Sequence, residues 1–151
     1  MCRDTGIVYD TEMKWRVVLD TNVVVAAMRS KRGASFAVFE LVESGEVEIC
    51  LSPPLVLEYE ATLVKHLRHT NLTRSKLDTL LNSLCSLAHL HEIFFLWRPH
   101  LRDPLDELVL ESAVAGRCRA IITHNVRHFV GAEKFGIEVL PPAELLERIG
   151  G

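Results

Sequence analysis

Apolar and polar positions fall along this chain in blocks that carry one of two periods. "WRVVLD", residues 15–20, is a short run rich in β-branched side chains and reads as a buried strand. "TNVVVAAM" follows it without a loop and opens on polar side chains able to cap a helix. Next, "GASFAVFELVESGE" repeats apolar residues at helical spacing and stops at Gly45, after which "VEICLS" reads as a second strand. Pro53 and Pro54 suit the first turn of a helix over "PPLVLEYEATLVKHLRH", and Thr73 is placed to cap the amphipathic "TRSKLDTLLNSLCSLAHL". "EIFFLW" predicts a third strand. "RDPLDELVLESAVAG" predicts a helix from Pro104 to Gly116, followed by a strand "RAIIT", a turn with Asn125, a strand "IEVL" and a last helix "PAELLERI".

Strands that alternate with helices predict an α/β fold, a parallel sheet with helices on both faces. At 151 residues the chain fits a single domain. Residues 1–12 carry no periodic pattern and are expected to form a loose extension, with the domain over 13–151 and Met13 competing with Met1 as the start. In such a sheet, ligands bind beyond the carboxyl ends of the strands, where the strand order reverses. Asp20, Ser52 and "THN" at 123–125 all follow strands, and Asp103 and Asp106 open the helix before "RAIIT". These positions predict an acidic pocket.

The acids differ in what else explains them. Asp20 interrupts an apolar run, where an ionised carboxylate is costly unless something binds it, yet it also stands where it can cap the next helix. Asp103 before Pro104 is a routine helix start. Asp106 shares a helical face with Val109, Leu110 and Ala113, while Glu107 and Glu111 fall on other faces; the competing role for Asp106 is a capping box. Among the glutamates of "LEYEATL", Glu60 shares a stripe with Leu63, Val64 and Leu67, and Glu58 with Ala61, Thr62 and Lys65, so periodicity alone selects Glu60 as the buried acid.

Composition narrows the class. Apolar residues at 48% and charged residues at 25% exclude a disordered chain. The longest apolar stretches, "VVVAAM" and "IFFLW", fall well short of the ~20 residues of a membrane span. The first residues hold no continuous apolar region of the signal-peptide kind, so a cytoplasmic protein is expected. Cys2, Cys50, Cys85 and Cys118 form no C-x-x-C pair, against a zinc knuckle or a disulfide framework. With a net charge of -3, any grip on nucleic acid must come from a local patch or a metal.

Four segments, "VVLDTNVVVAA", "LSPPLVLEYEATL", "RDPLDELVLESAVAGRCRAIITHNVRHF" and "FGIEVLPPAELL", together resemble PIN-domain proteins from about residue 16 to 146, in particular the branch of toxin-antitoxin toxins related to VapC ribonucleases. The resemblance implies a single PIN-like domain whose acidic site is formed by Asp20, Glu58 and Asp106, with Glu60 in reserve. Asn22, Asp103, Thr123 and Asn125 would support that site. The pattern departs at the fourth acid, since Asn125 and His128 stand where relatives carry Asp.

Such a site implies Mg2+ or Mn2+, hard cations held by one or two carboxylates with water and substrate oxygens completing the shell. Asp20 and Asp106 would be direct ligands, and Glu58 a ligand through water or the group that deprotonates the nucleophile. The resemblance makes single-stranded RNA the substrate, and a cognate antitoxin and a homodimer the protein partners. Arg29, Lys31 and Arg32 in "MRSKRG", Arg102 in "RPHLR", and Arg127 and His128 in "NVRH" are candidate phosphate contacts, whereas Phe94, Phe95 and Trp97 are expected in the core. Two other classes compete. A non-catalytic PIN module would bind RNA or a partner without cutting, and a haloacid dehalogenase-like phosphatase would want a second Asp where Asn22 stands.

Overall fold

The computed structural model describes residues 15–70, 72–92, 101 and 103–150. Strand β1 (Trp15–Leu19) runs straight into helix α1 (Thr21–Arg29), and α2 (Ala34–Ser44) leads to β2 (Val47–Leu51). Helices α3 (Pro53–Lys65) and α4 (Arg74–Leu87) precede a two-residue β3 (His89–Leu90); α5 (Pro104–Ala115) precedes β4 (Ala120–Ile122); β5 (Glu138–Leu140) and α6 (Pro142–Gly150) close the chain. One-turn 3-10 segments stand at Leu67–His69, Val126–Phe129 and Ala132–Phe135.

The five strands form one parallel sheet in the order β3-β2-β1-β4-β5. On one side β1 is in register with β2, Val17 beside Ile49, and on the other with β4, Leu19 beside Ile122. The chain builds outward from β1 to β3, then crosses back to add β4 on the opposite side, which puts the topological switch between β1 and β4. Val17, Val18 and Leu19 are buried together with Ala120, Ile121 and Ile122, as the near-continuous apolar runs of a parallel sheet covered on both faces require. Helix α5 packs across β1, β2 and β4, and α2 packs against α1, β2 and α6. No helix among the described residues is long and apolar enough to cross a membrane.

Several expectations need correction. The helix predicted to reach Leu90 ends at Leu87, and His89–Leu90 pair with Cys50 and Leu51 as an edge strand; both residues are exposed, so no apolar pattern announces it. The turn around Asn125 is two 3-10 segments rather than one short loop. Glu60 is not the buried acid of α3, because the buried stripe runs through Leu55, Tyr59 and Leu63, one residue away. The loose extension over 1–12, Met13, the strand "EIFFLW" beyond Glu92, and the core positions of Phe94, Phe95 and Trp97 lie outside the described residues.

Candidate active site

Asp20 is 7% exposed at the end of β1, and it also caps α1. Its Oδ1 accepts the Thr21 N–H at 2.7 Å and its Oδ2 accepts the Thr123 hydroxyl at 2.7 Å. The backbone repeats that link, since Asp20 N–H donates to the Ile122 carbonyl at 2.8 Å. Thr123 is fully buried at the end of β4, so the two central strands hold Asp20 across the switch point. Burial pushes the Asp20 carboxyl above its ordinary range, although the Thr123 and Thr21 hydrogen bonds and the nearby His128 and His124 favour its charged form.

Around this pair the polar chain ends tie α1 to the loop after β4. Asn22 Nδ2 approaches Thr123 Oγ1 at 3.5 Å, Asn22 Oδ1 accepts the His124 N–H at 3.3 Å, and the Asn125 N–H donates to Thr123 Oγ1 at 2.9 Å. Asn22 and Thr123 thus orient Asp20, while Asn125 is joined through its backbone. The sequence marks His124 only as part of the polar "THN" edge, with no role of its own; its ring meets Ser35 Oγ at 3.0 Å. Its place at the strand end, beside Thr123, was the available signal.

Asp106 is the third residue of α5, its side chain 13% exposed, and its carboxyl is raised by burial, then by Asp20 and Asp103, against the pull of His128. The structure therefore places Asp106 in the field of Asp20 even though one follows β1 and the other opens the helix before β4. His128 Nδ1 stands 3.3 Å from Asp106 Oδ2, an ion pair when the ring is protonated. Asp103 caps α5 by accepting the Leu105 N–H at 2.8 Å and adds negative charge beside Asp106.

The two glutamates diverge. Glu58 accepts the Thr62 hydroxyl at 2.8 Å and, with Asn22 and Leu105, lines a groove of about 740 Å³ between α1 and α3. Glu60 is bound to Arg74 Nη2 at 2.7 Å, which ties it to the start of α4. Ser52, expected at the polar edge, is instead fully buried: it caps α3 and shares a 2.8 Å hydrogen bond with Ser112 of α5. Glu111, set aside by the helical wheel, is buried too, its carboxyl raised by burial and by Glu107.

Of the candidate cations, Arg29 lines the same groove, Lys31 and Arg32 lie exposed in the turn after α1, and Arg127 is exposed beside His128. Arg102 lies outside the described residues.

The donor set suits a hard cation held loosely. Among the described residues no three His, Cys, Asp or Glu side chains gather into a ready-made metal cage. Yet Asp20 and Asp106 have no Lys or Arg ion pair among the described residues, and each is held above the ordinary carboxylate range. An added positive charge would favour the ionised forms of both carboxylates, and Mg2+ asks for no more than one or two carboxylates if water and phosphate oxygens supply the rest.

A sequence model described as the PIN domain matches residues 16–127, from β1 through the turn after β4. No curated protein matches the chain.

Proposed function

The chain belongs to the PIN-domain family, a nuclease-type fold, and from that premise we propose that it is a metal-dependent endoribonuclease that hydrolyses phosphodiester bonds of single-stranded RNA. The observation that carries the reading is the pair formed by the buried Asp20 and the half-buried Asp106 near the switch point, with the Asp106 carboxyl in the field of Asp20 and no Lys or Arg ion pair to either among the described residues. Asp20 and Asp106 would hold Mg2+ or Mn2+. When bound, such an ion would supply charge neutralisation at the phosphoryl oxygens and make the attacking water more acidic.

The remaining steps belong to the protein's own groups. Thr123, Asn22 and the Thr21 N–H fix the Asp20 carboxylate, so it meets the substrate already oriented. Glu58, steadied by Thr62, orients the attacking water and takes its proton as the oxygen bonds to phosphorus and the ester oxygen leaves. Asn125 supports Asp20 through Thr123, and Asp103 adds to the field that draws a cation. Lys31, Arg32, Arg127 and His128 are exposed and are the proposed phosphate contacts outside the groove.

A role as the toxin of a cytoplasmic toxin-antitoxin pair, with a cognate antitoxin and a homodimeric state, rests on the likeness of the four sequence motifs. A second reading, a PIN module that binds RNA without cutting, is favoured by one observation: Asn125 and His128 stand at the positions of the fourth acid. Incubation of the protein with a single-stranded RNA separates the two. Cleavage that requires Mn2+ or Mg2+, and that disappears in a folded Asp20→Asn protein, is the expected result. Binding without cleavage in either metal overturns the enzyme assignment.

A further inference from the structure

The groove between α1 and α3 has two chemically different regions. The Tyr59 hydroxyl donates to the Leu19 carbonyl, which fixes the middle of α3 against the junction of β1 and α1 and sets Glu58 in the region of Asn22. Arg29 on α1 and Lys65 on α3 each stand seven residues further along their helices, a rise of about 10 Å, and both still line the groove. Val25, Ala26 and Leu105 contribute apolar surface, and Leu105 is 49% exposed at its mouth.

Cations in the last turn of a helix suit its dipole, which accounts for Arg29 and Lys65 singly. It does not account for both facing one groove that begins beside the catalytic acids. Neither has an acidic partner within 4.0 Å among the described residues. On a chain of net charge -3, two cations with no acidic partner among the described residues, set along an apolar floor, complement a polyanion that also carries flat apolar bases.

We propose that this groove seats the single-stranded RNA on one side of the cut, with Arg29 and Lys65 on backbone phosphates next to the scissile one and the apolar floor against a sugar or base. The inference rests on the ribonuclease reading and names where its substrate continues. The test is fluorescence anisotropy of a labelled single-stranded RNA oligonucleotide, titrated with the full chain in EDTA over a series of salt concentrations. Each phosphate contact contributes about 0.7 to the slope of log affinity against log salt for a single strand. The double variant Arg29→Ala, Lys65→Ala is expected to lose about 1.4 of that slope. A control variant Lys76→Ala, Lys134→Ala, two exposed lysines off the groove, should keep the wild-type slope. Circular dichroism verifies that both variants fold. Equal slopes for wild type and the groove variant overturn the assignment and leave the ribonuclease reading standing; a wild type that neither cuts nor binds the RNA overturns both.

Discussion

At the scale of single residues, Asp20 shows that a cap and a candidate catalytic acid need not be alternatives. Its Oδ1 satisfies the first N–H of α1 while its Oδ2 is held by Thr123, and both oxygens keep lone pairs for a cation. The cost appears in the direction of its titration. Asp20 and Asp106 are both raised from the ordinary value of 3.8, chiefly by burial, and Asp106 also by Asp20 itself. A carboxyl raised on folding contributes stability below the unfolded value, and that contribution is lost as pH rises through the folded one. Metal-free Asp106→Asn, which cannot ionise, should therefore be more stable than wild type at neutral pH, by on the order of 1 kcal/mol or about 2–4 °C. The gap should close as pH is lowered to about 3, where the wild-type carboxyls are protonated as well. Thermal melts in EDTA across that range check it, and a gap independent of pH would remove the repulsion argument.

The glutamates make a second residue-scale prediction. Glu60→Gln breaks a half-exposed ion pair with Arg74, worth about 0.2–1 kcal/mol, and should leave cleavage near the wild-type rate. Glu58→Gln removes the proposed base and should lower kcat by about 10²–10⁴ with little change in stability. Loss of cleavage in Glu60→Gln with Glu58→Gln active would show that the helical wheel, not the family pattern, had chosen the right acid.

At the scale of elements, most of the fold was legible because strands and helices carried different periods, and Pro104, Gly45 and Thr73 marked where helices begin or end. What periodicity missed was of two kinds. The edge strand His89–Leu90 is too short and too exposed to leave a pattern. The buried Glu111 and the tie from Tyr59 to the Leu19 carbonyl depend on which neighbour lies across a helix, a fact that one segment cannot hold. That tie has a measurable consequence. Tyr59→Phe keeps the ring in the core but strands the Leu19 carbonyl at the end of β1, so a loss of about 1–3 kcal/mol is expected by denaturant unfolding. Gly116 likewise ends α5 as its sequence position suggested, yet its requirement is space: an added Cβ would meet Cys50 Sγ at 2.7 Å. Gly116→Ala should cost about 1–3 kcal/mol through overpacking.

At the scale of the molecule, the strand order explains why acids from distant segments meet. The reversal between β1 and β4 opens the crevice that Asp20 and Thr123 close from below, and the crossover through α5 brings Asp106 to its rim. Sequence reading reached the parallel sheet and the edge, but not the order of strands, since no segment states which neighbour it pairs with. The centrality of β1 and β4 links the site to global stability. The residues that would hold the cation are anchored on, or packed against, the innermost strands, so releasing the ion by unfolding requires the whole sheet to open. An ion that binds only the folded protein stabilises by about 2.7 kcal/mol at 100 times its dissociation constant. For a chain of this length that is roughly 5–10 °C in Tm. Wild type should show this rise on addition of Mg2+ or Mn2+, saturating with concentration, and both Asp20→Asn and Asp106→Asn should lose most of it. A rise of the same size in the two variants would place the ion elsewhere, and the acidic pair would then be a pair of helix-start residues without a metal to hold.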